Sequence, residues 1–266
     1  MSNKPVLKWA GGKTQLLSEL LPRMPQKYNN YIEPFIGGGA LFFAAQPERS
    51  IISDSNPELI NLYLVLSRDV ERVMKKLDSM SNTEEEYYAI RNVDWTTLSP
   101  IDAAARTIYL NKTCFNGLYR VNKSGDFNVP YGKNKRTKFY NELEMQQASK
   151  ALSRSFILCA DYHKVLSELA QPGDFVYLDP PYIPVSEYSD FKRYTKEQFN
   201  IDDQAKLADD VHQLVKRGCL VMLTNSNHPL VSELYGSYRI EVFKTKRTIS
   251  KDASRRNGED VIITTY

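Results

Sequence analysis

Short apolar runs alternate with longer amphipathic stretches along most of this chain, and several of the short runs stop at a polar or acidic residue. Tyr31-Ile32-Glu33-Pro34-Phe35-Ile36 leads into Gly37-Gly38-Gly39-Ala40 and an apolar run from Leu41 to Ala45, a pattern of strand, glycine turn and helix. Ser50-Ile51-Ile52-Ser53 stops at Asp54, Ser155-Phe156-Ile157-Leu158-Cys159 runs into Ala160-Asp161-Tyr162, and Phe175-Val176-Tyr177-Leu178 stops at Asp179. Cys219-Leu220-Val221-Met222-Leu223-Thr224 carries Asn225-Ser226-Asn227 at its tip. Runs of this length and composition predict buried strands. Amphipathic spacing predicts helices from Pro57 to about Leu77, around Glu84–Asn92, and over Ile101–Lys112, His163–Ala170 and Asp202–Lys216. Arg239–Phe243 and Val261–Tyr266 read as a terminal antiparallel pair. Strands separated by helices imply an α/β fold with a mainly parallel sheet in three layers.

Residues 57–145 break this alternation, being helical with no strand repeat, and read as an inserted subdomain between sheet-forming segments 1–56 and 146–266. The insert ends in a polar, glycine-punctuated stretch from Cys114 to Gly132, followed by Lys133, Lys135, Arg136 and Lys138. Exposed aromatics beside Arg, Asn and Lys on turns suit a nucleic-acid groove. Arg pairs with guanine, Asn with adenine, and Leu or Phe wedges between bases. The cations would lie on phosphates and add affinity without sequence information. A solvated hairpin with a charged tip accounts for the same letters. The loop from Tyr182 to Thr195 has the length and polarity of a lid, and the basic loop from Lys244 to Arg256 is a second candidate for phosphate contact.

Composition narrows the class more than the chemistry. The 266 residues, 42% of them hydrophobic, are enough for one or two domains with a substantial core. No run approaches the roughly 18 apolar residues of a membrane span, and no apolar signal core follows Met1, so a cytoplasmic protein with no membrane partner is expected. Cys114, Cys159 and Cys219 are too scattered for a disulfide framework or a zinc site, and no metal is expected. A net charge of +3 permits a polyanionic partner without demanding one.

The candidate chemistry gathers at strand tips. In Asp179-Pro180-Pro181-Tyr182 the prolines fix the backbone and remove two donors, leaving an acid, a carbonyl and a ring on one stiff corner. Such a corner suits a flat group with an exocyclic amine: carboxylate and carbonyl accept its hydrogens, and the ring stacks on its face. A plain turn is the competing explanation. Ala10-Gly11-Gly12-Lys13-Thr14 opens an amphipathic run and offers bare N–H groups to an anion, whereas a triphosphate loop would need a glycine where Leu7 stands. Gly37 and Gly39 permit a tight turn close to a ligand. Asp54, at the next strand tip, lies where nucleoside-binding folds hold ribose hydroxyls, while Asn56-Pro57 serves better than Asp54 as a helix start. Asp161 beside Tyr162 offers an acceptor and a ring to a purine.

Taken together and in this order, Leu7-Lys8-Trp9-Ala10-Gly11-Gly12-Lys13, Glu33 to Gly39, Asp54, Asn116-Gly117-Leu118-Tyr119-Arg120, Phe127-Asn128-Val129-Pro130 and Asp179-Pro180-Pro181-Tyr182 resemble the Dam family of DNA adenine-N6 methyltransferases over nearly the whole chain. The resemblance implies a Rossmann-like class I methyltransferase fold. Its sheet would be seven-stranded and mainly parallel, with a C-terminal antiparallel strand. The insert at 57–145 would be a mostly helical target-recognition subdomain with a β-hairpin. It implies S-adenosylmethionine as methyl donor, double-stranded DNA as substrate, and methyl transfer to an adenine flipped out of a GATC site. Asp179, Pro180, Pro181 and Tyr182 would be catalytic. Trp9, Ala10, Gly11, Lys13, Phe35, Asp54 and Asp179 would contact the donor, with Asp161 and Tyr162 as further candidates. Lys8, Phe115, Asn116, Leu118, Arg120 and Pro130 would touch the site. Phe115 stands where the family commonly has tyrosine, and Tyr119 where it has smaller residues. The resemblance further suggests a monomer in solution that can place more than one copy on DNA.

Two other readings compete. A methyltransferase of RNA or of a protein glutamine could use a similar acid-Pro-Pro-aromatic corner, but a protein-modifying enzyme has no need of the stretch Phe115–Lys138. A non-catalytic DNA-binding protein on the same fold would require damage to the donor or amine platform, and the sequence shows none.

Overall fold

The computed structural model describes residues 4–122, 125–183, 199–246 and 257–266; the lid-like loop after Ile183 and most of the basic loop after Lys246 lie outside them. Seven strands, β1 (Tyr31–Glu33), β2 (Ser50–Asp54), β3 (Ser155–Cys159), β4 (Phe175–Leu178), β5 (Leu220–Ser226), β6 (Arg239–Lys246) and β7 (Asn257–Thr264), form one sheet in the order β3-β2-β1-β4-β5-β7-β6. The first five run parallel and β7 lies antiparallel between β5 and β6. The α/β expectation and the terminal antiparallel pair both hold.

Nine α-helices are assigned among the described residues: α1 (Leu17–Leu20), α2 (Ala40–Ala45), α3 (Pro57–Asp78), α4 (Glu84–Arg91), α5 (Pro100–Thr113), α6 (Glu142–Leu152), α7 (Tyr162–Leu169), α8 (Ile201–Arg217) and α9 (Pro229–Tyr235). Several starts follow from local chemistry. The Asn56 side chain accepts from the Glu58 and Leu59 N–H groups ahead of Pro57, and Ser99 does the same for Asp102 ahead of Pro100. Asn200 and Asp203 form a reciprocal capping box on α8, which ends at Gly218 in the left-handed conformation. α6 and α9 are absent from the periodicity reading, and α6 spans position 145, where sequence pattern places the return to the sheet domain.

Strand residues divide by parity between two cores. Tyr31, Phe175, Tyr177, Met222 and Ile262 join the core that includes α2, α3, α5 and α6 residues, whereas Ile32, Val176, Leu178, Val221, Leu223 and Ile263 join the one under α7, α8 and α9. All four residues of β4 are buried, as a parallel strand covered on both faces requires. α3, α5 and α6 share one core with the sheet, so residues 57–145 pack directly against it.

Sheet order places β1 between β2 and β4: the chain runs outward from β1 through β2 to β3, then crosses back to lay β4 and β5 on the other side of β1. A crevice opens at the carboxyl ends of strands flanking such a reversal. Glu33, Asp54 and Asp179 all stand there, at the ends of β1, β2 and β4.

Candidate active site

Register explains the Asp179-Pro180-Pro181-Tyr182 corner. Leu178 pairs with Leu223, so the next residue, Asp179, falls beside Thr224, whose hydroxyl donates to Asp179 Oδ1 at 2.8 Å. Lys13 approaches from the N-terminal segment, with Nζ 2.6 Å from Oδ1 and 2.8 Å from Oδ2 of Asp179. The same ammonium bonds the Gly11 carbonyl and lies 4.4 Å from the centroid of the Tyr182 ring. An ion pair this far from water persists only when hydrogen bonds complete it, and here they do. Lys13 is thus the ion-pair partner of Asp179, a role that nothing local to residue 13 announces.

The rest of the corner is braced from α8 and β5. Gln204 Nε2 donates to the Pro181 carbonyl at 2.8 Å, and Asn225 Nδ2 donates to Gln204 Oε1 at 3.1 Å. No described residue donates to the Pro180 carbonyl. The Tyr182 hydroxyl is buried without a partner among the described residues. Thr224, Gln204 and Asn225 were not among the predicted site residues; only the polar tip Asn225-Ser226-Asn227 hinted at them.

The crevice beside this corner is acidic. Burial raises the Asp179 carboxyl above the usual aspartate range, while the Lys13 charge and the Lys13 and Thr224 hydrogen bonds oppose that rise. Burial likewise raises Glu33 well above the ordinary value; the Tyr31 hydroxyl, donating at 2.5 Å, opposes it and the nearby Asp179 charge adds to it. Asp54 is raised by burial against the N–H groups of Asn56 and Gly37, which reach Oδ1 at 2.9 Å and Oδ2 at 3.0 Å. Buried Glu33 and partly buried Asp54 and Asp179, with Lys13 paired to Asp179 alone, leave a surplus of carboxylates that favours a cationic ligand.

The glycine turn owes its shape first to Trp9. A Cβ on Gly37 would come 2.8 Å from Trp9 Cδ1, and one on Gly38 would come 2.8 Å from Trp9 Cβ. Gly37 and Gly39 also hold φ of +44° and +67°, where side chains are strained. Trp9 therefore lies over the turn that carries Gly37, Ala10 and Gly11 follow it in the chain, and Asp54 is bonded to that turn. Phe35 and Tyr162 stack with centroids 4.9 Å apart, and Phe199 meets both rings. Asp161 is the N-cap of α7, its Oδ1 accepting from the His163 N–H, so its side chain already has a structural task.

Most of the predicted DNA-contact residues lie on the hairpin after α5 and on the loop that follows it, with Lys8 packed against Gly117. Lys8 is clasped by Asn111 through its backbone N–H and carbonyl, and its aliphatic chain covers Gly117 closely enough that a Cβ there would meet Cδ at 2.7 Å. Phe115 is 52% exposed, a large ring held in solvent beside Asn116. The N–H of Phe115 donates to the Pro130 carbonyl. Arg120 Nε donates to Asn128 Oδ1 at 2.7 Å, which fixes the guanidinium across the hairpin formed by the Cys114–Tyr131 and Val121–Phe127 bridges. Leu118 is partly exposed, but Tyr119 between them points inward and is 4% exposed. Lys133, Lys135 and Arg136 are exposed on a loop pinned by Asn82, which donates to the Asn134 and Arg136 carbonyls. Lys138 lies over the Tyr140 ring on the neighbouring surface. No group of His, Cys, Asp or Glu able to hold a metal occurs among the described residues, and no helix there is long and apolar enough to cross a membrane.

Comparison with known proteins agrees with this geometry. Residues 9–249 match the model of the D12 class N6 adenine-specific DNA methyltransferases. The chain is 42% identical to the type II methyltransferase M1.LlaDCHI of Lactococcus lactis subsp. cremoris, over 99% of this chain and 95% of that one. It is 41% identical to the type II methyltransferase M.MjaIII of Methanocaldococcus jannaschii, over 97% of each. Identity to the DNA adenine methylase of Haemophilus influenzae is 32%, over 96% of this chain and 91% of that one. With a family match across residues 9–249 and relatives 42% and 41% identical over nearly the whole chain, the protein belongs to the D12 class of N6 adenine-specific DNA methyltransferases.

Proposed function

We propose that the protein methylates the N6 amine of an adenine flipped out of duplex DNA, within GATC, using S-adenosylmethionine. The observation that carries this reading is the corner itself: Asp179 on a rigid turn, a Pro180 carbonyl that no described donor occupies, and the Tyr182 ring beside them. The target amine cannot be reached inside the base stack, so extrusion is required, at about a few kcal/mol. Phe115, exposed on the recognition hairpin, is suited to fill the gap left in the stack.

The donor set fits a sulfonium nucleoside: the carboxylates of Glu33 and Asp179 for its positive charge, Asp54 for its ribose, and the Trp9 and Phe35–Tyr162 rings for its flat parts. Trp9, Ala10, Gly11, Lys13, Phe35, Gly37, Gly39, Asp54, Asp161, Tyr162 and Asp179 would hold it, and it supplies an electrophilic methyl group. The protein's own part is positioning. Tyr182 stacks on the base, while Asp179 and the Pro180 carbonyl each accept one N6 hydrogen. That draws the nitrogen lone pair out of ring conjugation and turns it towards the crevice. The Lys13 ammonium now bonded to Asp179 gives way to the incoming amine, keeping its Gly11 bond. The surplus proton on the methylated nitrogen passes to Asp179, whose raised pKa suits it as acceptor.

Residues 57–145 act as the target-recognition subdomain in this account, with Lys8, Asn116, Leu118, Arg120 and Pro130 at the bases and Lys133, Lys135, Arg136 and Lys138 on phosphates. The enzyme works as a monomer, in the cytoplasm, with no resident metal. Plasmid treated with protein and donor should resist a nuclease that cuts only unmethylated GATC and yield to one that cuts only methylated GATC. Unchanged digestion by both would overturn the site assignment.

A further inference from the structure

Tyr119 occupies the recognition hairpin without facing solvent. Its neighbours Leu118 and Arg120 are partly exposed, while its own ring turns inward and stacks on Trp9 with centroids 4.6 Å apart and planes 22° from parallel. Trp9 in turn packs on Gly37, tightly enough that no Cβ fits there, and the Gly37 N–H is bonded to Asp54 Oδ2 at 3.0 Å. Tyr119, Trp9, Gly37 and Asp54 are therefore consecutive links between the hairpin and the nucleoside end of the crevice.

A second route runs through the phenol. Tyr119 Oη donates at 2.8 Å to Oε2 of Glu58, which stands in the first turn of α3, four positions after Asp54. Glu58 Oε1 accepts from Arg106 Nη1 at 2.7 Å and Thr107 Oγ1 at 3.0 Å, and Arg106 also holds the Ile90 and Arg91 carbonyls at the end of α4. The α3 residue Tyr63 bonds the Gly37 carbonyl at 2.6 Å, closing the loop back to the glycine turn. A backbone shift at 118–120 has little room to be absorbed between these fixed points, because packed interiors transmit displacement rather than yield.

We infer that Tyr119 is a positioning residue that couples base reading by Leu118 and Arg120 to the shape of the donor pocket. The inference rests on the functional reading above. Hydrogen-bonded to Glu58 and stacked on Trp9, the tyrosine moves with the hairpin when Arg120 engages a base, and Trp9 follows. Coupling of this kind is reciprocal: duplex tightens the donor site and an occupied donor site tightens duplex by the same factor.

The test uses the full-length protein, Tyr119→Phe, a GATC duplex, and S-adenosylhomocysteine, which binds the donor pocket without turnover. Affinity for S-adenosylhomocysteine is measured by calorimetry with and without duplex. The wild type should bind it at least about five-fold tighter with duplex present, the low end of common coupling factors. Tyr119→Phe keeps the stacked ring and removes the Glu58 bond. Its affinity without DNA should stay within about two-fold of wild type, while the enhancement by duplex falls below about two-fold. A merely structural tyrosine would lower both affinities together or neither. Undiminished enhancement in the variant, or none in the wild type, overturns the inference. Failure of the wild type to methylate that duplex overturns the functional reading instead, and is seen before any variant is made.

Discussion

Lys13 and Asp179, 166 positions apart, meet in a buried ion pair with Nζ 2.6 Å from Oδ1, directly over the ring of Tyr182. The ammonium thus occupies the position that the account gives to the target amine, between an acceptor and an aromatic face. It also supplies the charge that counteracts the effect of burial on Asp179.

That arrangement fixes the sign of a pH effect. Asp179 is a charged acceptor able to take up the surplus proton only when ionised, so methyl transfer should fail as pH falls through its folded pKa, which lies above the ordinary aspartate value. Lys13 lowers that pKa, and Lys13→Met removes the lowering. The acid limb of kcat/KM, which reports the free enzyme, should therefore move to higher pH in Lys13→Met; an unmoved or lower limb would show that the pair does not tune the acid.

The glycine turn offers a steric test. Gly37→Ala forces a side chain into φ of +44° and a Cβ to within 2.8 Å of Trp9 Cδ1. The left-handed backbone alone costs about 1–2 kcal/mol, and the ring must also shift. Donor affinity should drop by about ten-fold or more, since about 1.4 kcal/mol is a factor of ten. Titration of S-adenosylhomocysteine checks this, and wild-type affinity would contradict it.

Glu58 and Arg106 make a different kind of prediction, about stability. Their side chains are each 5% exposed, and Glu58→Ala leaves the guanidinium buried without its carboxylate. Removing one partner of such a pair costs about 3–5 kcal/mol. Urea unfolding should show a loss of that size, whereas Tyr119→Phe should lose only about 1 kcal/mol for one hydrogen bond.

Much of the frame was legible in the sequence, because strand tips and helix starts are local features. Ser155–Cys159 and Phe175–Leu178 stand where their apolar runs place them, and Asn56-Pro57 starts α3 as its letters demand. Contacts between distant positions leave no such trace. Lys13 carries no local sign of Asp179, nor Gln204 of the Pro181 carbonyl. The inward turn of Tyr119 is equally hidden, since it depends on Trp9 and Glu58 meeting it from other elements. That turn also explains how a large residue is accommodated there: the ring fills interior space instead of meeting DNA. Asp161 carries a further task that its letters do not announce, its side chain capping α7.

The basic loop should report itself through salt. Lys133, Lys135 and Arg136 are exposed on the loop that Asn82 holds in place. Replacing any one by Ala should weaken binding alike for cognate and altered duplexes and reduce the log–log salt slope by about 0.9. A variant that changed site preference with its slope intact would place that residue at a base edge.

The central claim is that the Asp179 corner grips an adenine amine, and Asp179→Asn tests it most directly. Asn keeps the size of the side chain and a bond to Thr224 but loses the carboxylate that receives the amine hydrogen and the proton. Wild type and variant are incubated with labelled S-adenosylmethionine and a GATC duplex, and the DNA is digested to nucleosides. The wild type should yield N6-methyldeoxyadenosine as its labelled product. The variant should bind the duplex within a few-fold of wild type and transfer methyl at least about 100-fold more slowly, the common cost of losing one group that stabilises a transition state. Near-normal turnover in Asp179→Asn, or label on any other base in the wild type, would contradict the account.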